Sequence, residues 1–150
     1  MPTPLANAEL SKAIATWWDD NDINTEIGSD RIREQKMDDG VDPPYVILDL
    51  SEGGNVTGRS RQADGDTGKT RREHETRVIF QCWDRGKAES GDMATLLLQK
   101  FEEFGIPVLA HADAAFYYFR YFDDFPFRDD DNRWAWALVM ETKFWTIGIT

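Results

Sequence analysis

One glycine-rich segment invites a chemical reading first. Ala63-Asp64-Gly65-Asp66-Thr67-Gly68-Lys69-Thr70 matches a relaxed phosphate-loop pattern, with alanine at the first glycine position. In such a loop the N–H groups opening a helix face the phosphates, and here Lys69 and Thr70 would serve a nucleotide hydrolase. The flanks oppose that. Arg61 and Gln62 stand where a buried strand should end, and Thr70 to His74 run into a strand rather than a helix. Asp64 and Asp66 would repel phosphate inside the cradle. A flexible charged loop is the better reading.

The other reactive types form no constellation. His74 and His111 are the only histidines, and neither belongs to an HExxH or Cys/His cluster. No GxSxG is present. Cys82 alternates inward with Val78 and Phe80, which makes it a small core hydrophobe. Asp123, Asp124, Asp129, Asp130 and Asp131 lack the ligand order, the glycine and the closing glutamate of a calcium loop, so they read as a hairpin tip or an acidic patch. Trp17/Trp18 and Trp134/Trp136 are candidate stacking platforms for bases, but core packing accounts for them better. No catalytic residue, metal site or cofactor is expected.

Composition bounds what remains. The chain has 150 residues and a net charge of −11, with 41% hydrophobic and 13% aromatic residues. A single domain of this length buries roughly 70% of its unfolded surface. So much aromatic and apolar sequence needs a packed interior, and a lone cysteine excludes a disulfide scaffold. The longest apolar run, Ala112 to Phe122, is interrupted by Asp113 and Arg120 and is too short to span a bilayer. Met1 to Leu10 lack the pattern of a signal peptide, so a reduced, intracellular, membrane-free protein is expected. The acidity opposes tight duplex binding, though not a channel through which DNA slides.

The elements follow from periodicity. Residues 5–18 predict a helix, 23–28 a short strand, and 29–42 mostly loop. Tyr45 to Leu50 predict a strand after Pro43-Pro44. Residues 51–74, with five glycines, predict a long polar loop. Glu75 to Asp84 predict a strand. Ala88 to Phe104 predict the main amphipathic helix, capped by Ser90 or Asp92 and stopped by Gly105. Asp113 to Phe122 predict a strand, with Phe116, Tyr118 and Phe122 alternating against Tyr117, Phe119 and Tyr121. Asp123 to Arg133 predict a turn, and Trp134 to Ile147 a final strand. Consecutive strands favour antiparallel pairing. The expected fold is a single α+β domain: an antiparallel β-sheet with two helices packed on one face.

The second sheet face would then keep Tyr45, Ile47, Ile79, Trp83 and one set of the 116–122 aromatics. Either a neighbouring subunit or the N-terminal helix and 23–28 strand must cover it. The candidate interface comprises Arg59, Arg61, Lys69, Arg71 and Arg72 of the basic 59–72 segment, Asp123, Asp124, Asp129, Asp130 and Asp131, and the exposed aromatics Trp83 and Trp145. A pocket walled by aromatic strands, for a small ligand, is a further alternative.

An N-terminal helix, then Pro44-Tyr45-Val46-Ile47-Leu48, a long polar loop, Arg77-Val78-Ile79-Phe80-Gln81-Cys82-Trp83-Asp84 and a helix resemble the tail terminator and tail-completion (neck) proteins of long-tailed bacteriophages. The resemblance covers about residues 5–104 by pattern and the last two strands by order. It implies a structural virion protein, not an enzyme, assembled in the host cytoplasm. Such proteins form a hexameric ring at the head-proximal end of the tail, terminate the tail tube and join it to the head-completion protein. DNA passes through the lumen without sequence-specific binding. A head–tail connector or stopper of the neck is the nearest alternative.

Overall fold

The computed structural model describes residues 6–20, 32–34, 43–50, 54–56, 62–63, 69–103 and 114–149. Alternating apolar residues and long strands organise the chain around one ladder. β5 (Lys69–Asp84) and β7 (Trp134–Ile149) pair antiparallel along their whole length, from Lys69↔Ile149 to Asp84↔Trp134. β2 (Tyr45–Asp49) pairs antiparallel with β5 on one side, and β6 (Ala114–Arg128) with β7 on the other. β1 (Ile32–Glu34) adds to β2 in parallel, giving the order β1-β2-β5-β7-β6. β3 (Gly54–Val56) and β4 (Gln62–Ala63) pair back on the first half of β5.

The helices α1 (Ala6–Asp20) and α2 (Lys87–Glu103) share one core with a single sheet face. That face carries Val46, Leu48, Val78, Phe80, Cys82, Leu138, Met140 and Phe144, all buried. α1 contributes Leu10, Ile14 and Trp17, and α2 contributes Met93, Leu97 and Phe101. Phe101 is the junction. Its ring stacks on Trp17 at 4.1 Å and meets Phe80 at 5.2 Å and Phe119 at 4.8 Å. The fold is α+β, with both helices on one face of the sheet.

Several local expectations need correction. Residues 29–42 include β1, whose short charged sequence gives no periodic signal and whose order comes from the edge of β2. Residues 51–74 are not one loop: β3, β4 and the start of β5 lie there, held by main-chain pairing that needs no apolar side chains. Residues 123–128 continue β6, and the turn is confined to 129–133. α2 starts earlier than expected. Gly86 O accepts the first helical bond from Ser90 N at 3.0 Å, so Gly86 is the N-cap and neither Ser90 nor Asp92 caps. The 23–28 strand lies outside the described residues.

The largest correction concerns β6. The register slips between Phe116 and Tyr118 and again between Tyr121 and Asp123. Each bulge adds a residue and inverts the alternation. Phe116 and Phe119 therefore both enter the core, three residues apart. A second bulge brings Asp124 opposite Leu138, onto the helix-bearing face.

Phe101→Ala should cost about 3–5 kcal/mol, as expected for a truncated core phenylalanine. Phe125→Ala, at a ring 43% exposed, should cost no more than about 0.5 kcal/mol. Urea unfolding of the two variants checks this, and equal losses would overturn the assignment of the core.

Candidate functional site

A groove of about 380 Å³ lies between α2 and the outer half of the β7–β6 pair. Small residues form its helical wall. Ala88, Gly91, Ala94 and Thr95 face it, with Asp92 beside them. Gly91 permits the approach: a Cβ there would sit 3.1 Å from Trp136 Cε3. Buried Ser90 ties the helix down, its hydroxyl lying 2.8 Å from Gly86 O and 3.2 Å from Trp134 O and sharing its proton between them. Leu98 and Leu138 floor the groove, and Tyr121, Asp124 and Trp136 close the sheet side.

Asp124 is the centre of that wall. Its Oδ1 accepts a bond from the Tyr121 hydroxyl, and its Oδ2 accepts one from Trp136 Nε1 at 2.8 Å. Both bonds favour the ionised form. The Tyr121 bond first, then the Trp136 bond, hold the carboxyl below its usual range against the pull of desolvation. Reciprocally, the bond to Asp124, then desolvation and the charges of Asp124 and Asp123, push the Tyr121 phenol up to about 12. The result is a fixed anion on the rim of an apolar groove.

The expected interface residues scatter over the molecule. Arg59 and Arg61 lie outside the described residues. Lys69, Arg71 and Arg72 open β5, opposite Ile149, Ile147 and Thr146. Trp83 is only 7% exposed, packed with Tyr45 and Ala135 and edge-on to Phe127 at 5.3 Å. It is therefore not an exposed interface aromatic, and this end of the second face is covered within the chain. Trp145 lies on that same face, half-buried, between Glu73 and Ala115.

The five aspartates do not form one patch. Asp123 and Asp124 sit in β6 opposite Val139 and Leu138, on opposite faces. Asp129 is spent on the hairpin turn. Its Oδ1 accepts from Asp131 N at 3.0 Å and Arg133 N at 2.9 Å, and its Oδ2 accepts from Arg133 Nε at 2.7 Å. Asn132 takes the left-handed conformation there, φ 59°, which asparagine tolerates. Asp130 and Asp131 remain exposed at the tip.

Lys69 and Thr70 begin a strand, so the phosphate-loop match lacks the helix that would orient its N–H groups. Burial pushes the Cys82 thiol up, in keeping with a core role. Among the described residues no group of acidic, histidine or cysteine side chains could hold a metal ion, and no helix is long and apolar enough to cross a membrane. Neither a family model nor a curated protein matches the sequence.

Tyr121→Phe should raise the Asp124 pKa toward the ordinary carboxylate range, read by carboxyl-carbon NMR titration. The lowered pKa favours folding above the ordinary carboxylate range and is lost as pH falls through it. The raised Tyr121 pKa favours folding below pH 10 and is lost as pH climbs to about 12. An unmoved Asp124 titration would show that the phenol does not hold the carboxylate.

Proposed function

We propose that this chain is a structural assembly protein of a long-tailed phage, forming a ring at the head-proximal end of the tail. In this reading the ring terminates the tube, meets the head-completion protein of the neck and passes DNA through its lumen. The observation that carries the reading is the free edge of the sheet. β6 has no second partner strand among the described residues, and it exposes Tyr117 at 44%, Tyr121 at 45%, Phe122 at 45% and Phe125 at 43%. Half-open aromatic rings gathered on one free sheet edge are unusual on a monomer and ordinary on an interface.

The surrounding chemistry supports association. Arg77 lies 3.8 Å over the Phe122 ring, and Lys143 and Arg120 approach the Tyr118 ring at 4.8 and 5.4 Å. Cations seated on aromatics at a surface recur in protein interfaces, where arginine and tyrosine are enriched. A connector or stopper of the neck would use the same surface. The groove favours a second reading, a ligand-binding module, since its size falls in the range of small-molecule sites.

Native mass spectrometry and negative-stain microscopy test the proposal. A ring of the chain, alone or on purified tail tubes, is the expected result. Phe122→Ser with Phe125→Ser should weaken association at least tenfold while leaving the thermal midpoint within a few degrees. A strictly monomeric chain that never joins tube or neck proteins would overturn the reading.

A further inference from the structure

We propose that the groove at Asp124 receives the basic end of β5, Lys69, Arg71 and Arg72, from a second copy of this chain. The inference rests on the assembly reading above and specifies its contact. The groove suits a cationic side chain with an apolar stem. Asp124 is held ionised, and its carboxylate has lone pairs to spare beyond the two bonds it accepts. Asp92 stands on the opposite wall with no hydrogen-bond or ion-pair partner among the described residues. Between them, Leu98, Leu138 and the Trp136 ring offer the apolar floor over which an arginine stem and guanidinium lie well.

The chain carries the matching charge but cannot use it on itself. Arg71 pairs with Ile147, whereas Asp124 lies opposite Leu138 and so level with Phe80. At about 3.3 Å per residue these levels are about 30 Å apart along a continuous ladder. That is several times the reach of a side chain. Lys69, Arg71 and Arg72 thus form a basic end and the groove an acidic socket at separate levels of one rigid sheet. A contact between unlike surfaces is heterologous, and such contacts close into rings when the rotation permits. Pairing of two β6 edges, the isologous alternative, is opposed by the two bulges and by Pro126, which has no N–H to donate.

Two reversed variants of the full chain test this, Asp92→Arg/Asp124→Arg and Arg71→Asp/Arg72→Asp. Each alone should weaken self-association at least tenfold by sedimentation velocity, with circular dichroism confirming the fold. Mixed one to one, they should reassemble as alternating copies, because each then offers what the other lacks. Should a reversal prevent folding, Asp92→Asn/Asp124→Asn and the loss of wild-type association in high salt read the same contact. An oligomer indifferent to all of these overturns the groove contact and leaves the assembly reading standing. The groove contact is equally overturned if a free arginine-rich peptide fills the groove without competing with self-association. A wild-type chain that stays monomeric at every concentration, with and without tail tubes, overturns both.

Discussion

An uninterrupted antiparallel ladder between β5 and β7, each 16 residues long, is the constraint on which the rest of the molecule depends. It fixes the alternation of the side chains from Glu73 to Asp84 and from Trp134 to Thr146. Even-numbered residues from His74 to Cys82 and from Trp134 to Thr146 share the face that bears the helices, and odd-numbered ones lie on the other. β2, β6 and α2 all dock on this frame, and α2 reaches β6 through Phe101 and Phe119. His74 illustrates how far the ladder carries polar groups inward. It is buried, its Nε2 lies 2.9 Å from Thr146 Oγ1, and its ring sits 5.3 Å from Phe144. Burial of such a group is tolerable only because the register delivers a partner.

β6 departs from that regularity, and the departure builds the groove. Without its two bulges, strict alternation from Phe116 would still put Asp124 on the helix-bearing face, but Phe119 and Tyr121 on the other. The bulges rotate Phe119 into the core and turn Tyr121 toward Asp124, while Tyr117 and Phe122 are left as the extra residues at the edge. The exposed Tyr117 and Phe122 rings and the groove thus share one cause. They are consequences of a strand that carries two more residues than its partner can pair.

The same contrast separates what is legible in the sequence from what is not. The periodicity of Val78, Phe80 and Cys82, and of Trp134 to Phe144, is legible because those strands keep strict alternation over long stretches. The helix from Ala88 is legible from Met93, Leu97 and Phe101. The Tyr121–Asp124–Trp136 arrangement is not, since a bulge has no signature in hydropathy, and Pro126 is the only local sign of irregular pairing. Trp83 misleads for a different reason. Its strand position points it away from the helices, but Tyr45, Ala135 and Phe127 converge on it from three other strands. The start of β5 escapes a sequence reading because its Lys-Thr-Arg-Arg stretch is polar, and main-chain pairing with β7 does not depend on side-chain character.

The Asp129 turn has a kinetic consequence. One carboxylate gathers the amides of Asp131 and Arg133 and the guanidinium of Arg133, closing the connection between β6 and β7 within five residues. Loop-closure entropy is small for so short a connection, whereas β2 must find β5 across a far longer intervening stretch. The last quarter of the chain is therefore the cheapest piece for an unfolded polypeptide to organise. It would form as a local hairpin in microseconds and serve as the template onto which the earlier strand and the helices condense.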